Sequence, residues 1–391
     1  MPIINRIAEF HDDMTAWRRD FHQHPELNFQ EVRTSGIVAQ KLREFGCDKV
    51  ITGIARTGVV GVIKGRGEGG AIGLRADMDA LPIHEESGVP HASLTPGVMH
   101  ACGHDGHTTM LLGAARYLAE TRNFSGTAYM IFQPAEEMGG GGEVMVKEGL
   151  FERFPMDRVF GLHNWPGAPE GTFLWRVGPV MAAVADIRIT ITGKGAHGAM
   201  PHQGNDPVVI AAQIVTAFQS IVARNVEPVE GAVVTIGEIK GGNAFNVIPE
   251  VVTLRGTARW FQPEVGDILE EKVRSIASGI AAAFGAEAEV RFERMYPATI
   301  NEEASAGLAA EAARAVVGDA RVAVLPKPTM GGEDFSFMLN AKDGAYLMLG
   351  SGRSPEDPQV HHPRYDFNDN VLPVGASWWA ALVEQQLPRK D

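Results

Sequence analysis

Cys102, His104, Glu137, His163 and His361 are side chains of the kind that bind metal, and each follows an apolar run that reads as a strand or leads into a helix. The densest piece is Met99 to His107, reading MHACGHDGH, where one thiol, three imidazoles and a carboxylate fall within nine residues. A thiolate, imidazoles and a carboxylate together suit zinc or a comparable transition ion. Five donors exceed what one tetrahedral ion takes, so two ions about 3.5 to 4 Å apart, sharing a water of lowered pKa, are expected. Glu136 stands beside Glu137, and neighbouring side chains in an extended or turn segment point opposite ways. One carboxylate can therefore bind metal while the other faces substrate as a general base. That base would take a proton from the attacking water and pass it to a leaving amine.

Taken singly, each residue has a plainer reading. A buried thiol is most often inert packing, a lone histidine is more often structural than a ligand, and an acidic pair is commonly a solvated turn. The clustering is what favours metal chemistry. Gly139 to Gly142 would let the backbone pass close to the site, or serve only as a turn. Cys47, at a helix end, and Trp378 and Trp379, in an apolar C-terminal helix, read as structural.

Donors so far apart must be gathered by a sheet. Val59 to Ile63, Ala71 to Leu74, Thr127 to Phe132 and Val159 to Leu162 are short apolar runs, and Thr108 to Glu120 has an apolar helical face. Strands that alternate with helices and are apolar almost throughout imply a buried, mostly parallel sheet. Ligands of such sheets collect beyond the carboxyl ends of the strands, where Asp77, Asp79, Glu136, Glu137 and His163 fall. The pattern then changes. Strands at 186–192, 233–239, 251–259 and 289–294, with helices at 208–223 and 268–284, spell βαββαβ, the ferredoxin-like arrangement. A helix at 304–317 and a strand at 345–349 follow. The expected fold is thus α/β: a catalytic metal-binding domain from 1–182 and 296–391, interrupted by an inserted ferredoxin-like domain at 183–295 suited to dimerisation.

Composition narrows the classes. With 391 residues, 45% hydrophobic and 21% charged, the chain reads as globular, with room for two cores. A net charge of -13 without Lys/Arg clusters argues against nucleic-acid and membrane partners. Two distant cysteines suggest no disulfide framework, and the first residues carry no signal-type apolar stretch, so a reducing, cytoplasmic setting is expected.

The motifs, in order, are FHQHPEL at 21–27, RADMDALP at 75–82, MHACGHDGH at 99–107, QPAEE at 133–137, GLHNWP at 161–166, GKGAHGAMPH at 193–202, GGNAFNVIP at 241–249, GGEDFSF at 331–337 and HHPRYDF at 361–367. The series resembles the aminoacylase and carboxypeptidase family of dinuclear metallohydrolases, in its hippurate hydrolase and indole-acetyl-amino-acid hydrolase branch, over nearly the whole length. The resemblance implies that Cys102, His104, Glu137, His163 and His361 bind two divalent ions (Zn, Mn, Co or Ni), with Glu136 as base. It implies that His197 reaches the partner subunit's site to stabilise the oxyanion, and that Asn246 and Arg259 hold the substrate carboxylate. Asp77 and Asp79 would support the ligands. His362 competes with His361 for the ligand role, and alignment on Pro363 favours His361. The expected reaction is hydrolysis of an N-acyl amino acid by a homodimer or higher homo-oligomer. A dipeptidase or carboxypeptidase, or an inactive metal-bound binding protein, is the alternative, and the acyl group is left open.

Overall fold

The computed structural model describes residues 4–389, so the ends of the expected catalytic domain and the first three residues of the amino-terminal segment lie outside the described residues. Two compact units form: the described parts of Met1–Val180, Thr299–Lys327 and Glu333–Asp391, and a second unit of Met181–Ala298 with Pro328–Gly332.

The first unit is built on an eight-stranded sheet in the order Lys49–Ile54, Gly58–Lys64, Thr127–Gln133, Ala71–Asp77, Arg158–Pro169, Gly344–Gly352, Phe173–Trp175 and Val322–Val324. The four strands from Thr127–Gln133 to Gly344–Gly352 run parallel to one another, as expected of a mostly parallel sheet. Their near-continuous apolar character has its cause here: every residue of Gly344–Gly352 is buried. The helix His104–Thr121 packs on the Ala71–Asp77 strand and against the helices His11–Gln23 and Leu372–Gln386. Because it is enclosed on several sides, it is buried almost around its whole circumference from His104 to Ala115. Trp378 and Trp379 are wholly buried core, as their apolar helix suggests.

Three boundaries differ from expectation in ways that matter. The helix begins at His104 rather than Thr108, because its polar first turn is buried by the site and not by apolar packing. The strand around Val159 runs on to Pro169, so His163 sits within it, opposite Met348, rather than beyond its end. The edge strand Lys49–Ile54 was not anticipated, since an edge needs no apolar alternation and this one is half exposed.

The second unit is a four-stranded antiparallel sheet in the order Ala232–Gly241, Val251–Trp260, Ala183–Thr192 and Glu287–Tyr296. Along the chain its main elements run strand, helix, strand, strand, helix, strand. Ile187, Ile189 and Ile191 alternate inward against Leu269, Val273, Ala277 and Ala281 of the helix Pro263–Ala283, spaced four apart on one face. The helix Pro207–Asn225 is long and apolar enough to cross a membrane by length and composition, yet Ile210, Ile214, Phe218 and Ile221 are buried in this same core. Asp206 caps it, accepting from the Val208 amide at 2.9 Å.

Candidate metal centre

All five expected donors meet in the first unit. Ligand atoms of Cys102, His104 and His163 lie within 4.8 Å of one another, and so do those of Cys102, Glu137 and His361. Cys102 is common to both triads. Its Sγ stands 3.4 Å from His163 Nε2, and Glu137 Oε1 lies 3.3 Å from His361 Nε2 and 3.9 Å from His104 Nε2. His362 Nδ1 accepts from the Arg364 amide at 3.0 Å, and it is His361 whose ring nitrogen lies among the donor atoms.

Local backbone explains the convergence. Gly103 carries φ +92 ahead of the His104 helix, and a Cβ there would meet Asn164 Nδ2 at 2.4 Å, so only glycine lets Cys102 and His104 turn toward one centre. Asn164 locks that loop to the sheet by donating to the Cys102 carbonyl at 2.6 Å. His361 also has left-handed backbone, φ 67, pinned by its amide's 2.7 Å bond to the Ala101 carbonyl. Strained backbone of this kind persists only where its surroundings over-determine it, commonly at functional sites. His361 is also the donor most open to solvent, with its side chain 52% exposed, whereas the rest of the cluster is nearly enclosed.

The second ring nitrogens are oriented by neighbours. His104 Nδ1 lies 2.9 Å from the Asp79 carbonyl, which turns Nε2 toward the cluster, and His163 Nδ1 lies 2.6 Å from the Asn164 carbonyl. Asp79 Oδ2 meanwhile accepts from the Glu137 amide at 3.0 Å, tying strand end to acidic turn. Asp77 serves His107, at 2.6 Å from Nδ1, while His107 Nε2 accepts from the Asn164 amide at 2.9 Å. With both nitrogens engaged, His107 is a strut rather than a ligand.

The donors fit cations. Among the described residues, His104 Nε2 and Glu137 Oε1 are buried without well-formed hydrogen bonds, the oxygen having the imidazoles of His361 at 3.3 Å and His104 at 3.9 Å beside it, a costly condition for polar atoms. Burial opposes protonation of His104, yet Asp77, Asp79 and Glu137 carry it up to about 10. Burial, followed by Glu137 and Glu136, pushes the Cys102 thiol well above its usual range. Burial and His107 push His163 well down, leaving the neutral imidazole that a metal requires. A bound divalent charge is what would reconcile a thiolate with carboxylates in so buried a place.

Residues without an assigned role in the sequence complete the site. Arg75, fully buried, donates to Gln133 at 2.8 Å, Asp77 at 2.8 Å, Glu333 at 2.9 Å and Asp334 at 3.1 Å. Oxygens of Glu136, Glu333 and Asp334 approach within 4.8 Å, and burial together with Glu333 and Glu137 raises the Glu136 carboxyl well above normal. RADMDALP and GGEDFSF were visible as motifs. That they meet at one guanidinium was not.

His197 and Asn246 belong to the second unit. His197 pairs with Val247 across a short two-stranded arm, and the Asn246 carbonyl accepts from the Gly198 amide at 2.8 Å, so the two are neighbours and exposed. Arg259 is separate. Asn246 lies in the loop joining Gly241 to Val251, while Arg259 is at the other end of Val251–Trp260, about 26 Å along the strand at ~3.3 Å per residue. There it is half-buried, donating to Thr257 Oγ1 at 3.1 Å, and burial lowers its pKa.

A family model described as Peptidase family M20/M25/M40 matches residues 73–385. A hippurate hydrolase of Campylobacter jejuni is 41% identical over 387 residues, covering 99% of this chain and 100% of its own. An N-acetyl-L-cysteine deacetylase of Bacillus subtilis is 41% identical over 364 residues, covering 93% of this chain and 85% of its own. Among solved structures, the Bacillus subtilis YXEP protein, described as a dinuclear metal binding peptidase from the M20 family, superposes with a TM-score of 0.83 at 35% identity, covering 97% of this chain and 99% of that one.

Proposed function

The chain belongs to peptidase family M20/M25/M40, and from that membership together with its donor cluster we infer that it hydrolyses the amide bond of N-acyl amino acids with divalent metal. The observation that carries the reading is the pair of donor triads sharing Cys102, with Glu136 placed beside His104 and Glu137. Cys102, His104 and His163 would hold one ion, and Cys102, Glu137 and His361 the other. When bound, the ions supply a water of lowered pKa and an electrophilic pull on the scissile carbonyl. Zinc suits the thiolate best, while manganese, cobalt and nickel remain compatible with the imidazole and carboxylate donors.

In this reading the Glu136 carboxylate takes the proton of the attacking water and returns it to the departing nitrogen, so the products are a carboxylate and an amino acid. A base beside a full ligand set speaks against a mere binding protein, which needs none. His197 would donate to the oxygen that gains charge as the carbonyl turns tetrahedral. Asn246 and Arg259 would bind the substrate carboxylate. Since they lie at opposite ends of one strand, both can serve a single carboxylate only if they come from different copies of the chain. A homodimer with shared sites is therefore the assembly proposed, with the second unit as the shared part.

The test is amine release from N-benzoyl, N-acetyl and indole-acetyl amino acids and from plain dipeptides, after chelation and again with zinc, manganese, cobalt or nickel restored. Metal-dependent cleavage of the acylated amino acids is expected. Cleavage of dipeptides alone would make the enzyme a peptidase, and no turnover with any metal would overturn the reading.

His197→Ala should lower kcat by about 100- to 1000-fold, the usual cost of one oxyanion donor, with metal content unchanged. Mixing it with Glu136→Gln under conditions of subunit exchange should restore activity, because one site of a hybrid dimer would be intact. No recovery in verified hybrids would exclude sites shared between subunits.

A further inference from the structure

The acidic turn that delivers Glu136 and Glu137 is held in an unfavourable shape. Ala135, immediately before them, has φ 54, left-handed backbone that a residue with a Cβ seldom adopts. Its carbonyl accepts from the Gly141 amide at 3.0 Å, a close approach that only glycine permits, since a Cβ on Gly141 would lie 1.7 Å from the Pro134 oxygen. Its amide points at a residue far away in sequence: Glu31, wholly buried, whose Oε1 accepts it at 3.0 Å. The same Oε1 accepts the amide of Phe29, also left-handed at φ 59, at 2.9 Å, and Oε2 accepts the Thr57 hydroxyl at 2.6 Å. A carboxyl group is costly to bury, and here one of its two oxygens serves the amides of two left-handed backbone bends. Among the described residues, the hydrogen bonds of the Glu31 carboxylate go to Phe29, Thr57 and Ala135 and to no donor of the metal cluster.

We propose that Glu31 is a positioning residue for hydrolysis, holding the Gln133–Glu137 turn in the left-handed conformation that brings Glu136 and Glu137 to the metal centre. The proposal rests on the amidohydrolase reading for its kinetic part only. Without the Glu31 acceptor, nothing else on the Ala135 amide opposes relaxation of φ to negative values. Such a change would rotate the following two residues away from His104 and His361. The other restraints on the turn, Gly141 at the Ala135 carbonyl and Asp79 at the Glu137 amide, act beyond this bond and cannot replace it.

Four forms of the full chain test this, each loaded with cobalt and compared with wild type: Glu31→Ala, Glu31→Gln, Ala135→Gly, and Glu31→Ala with Ala135→Gly. Glu31→Ala should lower kcat at least tenfold with KM within about twofold, and should alter the visible absorption of the bound cobalt. Glu31→Gln should retain most turnover, because its amide oxygen can accept the same two amides while the Thr57 hydroxyl reverses to accept. Ala135→Gly, which removes the steric penalty at positive φ, should be near wild type alone and should recover most of the kcat lost in the Glu31→Ala background. Unchanged kcat and cobalt spectrum in Glu31→Ala would overturn the proposal. So would a loss that follows thermal stability and is not recovered by Ala135→Gly. If wild type cleaves no N-acyl amino acid, the function reading fails by itself, and the cobalt spectra still decide the positioning role.

Discussion

Glu136→Gln is expected to lower kcat by about 100- to 10 000-fold, the span typical of losing a positioned general base, while the protein retains its full metal content. Gln keeps the shape and loses the ability to carry a proton. Metal should stay because Glu137, the neighbouring carboxylate proposed as ligand, is held independently through its amide to Asp79 Oδ2 at 3.0 Å. In the metal-free protein, stability should rise rather than fall. Burial and the nearby Glu333 and Glu137 push the Glu136 carboxyl up, so its folded pKa lies above its unfolded value and its ionisation opposes folding at neutral pH. A neutral amide removes that penalty, and the melting temperature should be equal to or above wild type. Steady-state kinetics and metal analysis of the loaded protein, with a thermal melt of the metal-free protein, check all three parts. Retained turnover would assign the proton transfer to another group, and loss of metal would make Glu136 a ligand.

Arg75→Met should be the most destabilising of the substitutions considered, by about 3–5 kcal/mol, because removing one partner leaves buried carboxylates without their counter-charge. The guanidinium is enclosed by Asp77, Glu333, Asp334 and Gln133 at 2.8 to 3.1 Å. Metal affinity should fall as well, since Asp77 links Arg75 to His107, which braces Asn164 beside Cys102. The pH dependence follows from Asp77. Against the cost of burial, His104, His107 and Arg75 hold its carboxyl well below the usual range. A depressed folded pKa contributes stability above the unfolded value, about 3.9, and loses it as pH falls through the folded pKa. The gap between wild type and Arg75→Met in urea unfolding should therefore be widest near neutrality and narrow in acid. A gap independent of pH would mean that lost packing, not lost charge pairing, sets the cost.

Much of the site was legible in the sequence because metal chemistry restricts residue type. No packing need places a thiol, three imidazoles and a carboxylate within MHACGHDGH, so the cluster stood out without any structure. The mostly parallel sheet was legible for a similar reason: strands covered on both faces must be apolar at successive positions, as Gly344–Gly352 is. Roles that depend on backbone were not. His107 sits in the same motif as Cys102 and His104, and only the approach of Asp77 and the Asn164 amide shows it to be a strut. His361 and His362 are the same residue type side by side, and left-handed backbone at His361 decides which one faces Glu137.

What the sequence alone offered, then, was the inventory of candidate donors, the carboxylate proposed as base and the main alternation of strands and helices, since local composition and periodicity carry that information. The tertiary structure decided which distant side chains neutralise or restrain one another. Glu31 on the Ala135 amide and Arg75 between Asp77, Glu333 and Asp334 are contacts between segments as many as 259 residues apart. Such contacts have no period and no spacing, for a buried charge can be satisfied by any segment that the sheet order brings to it.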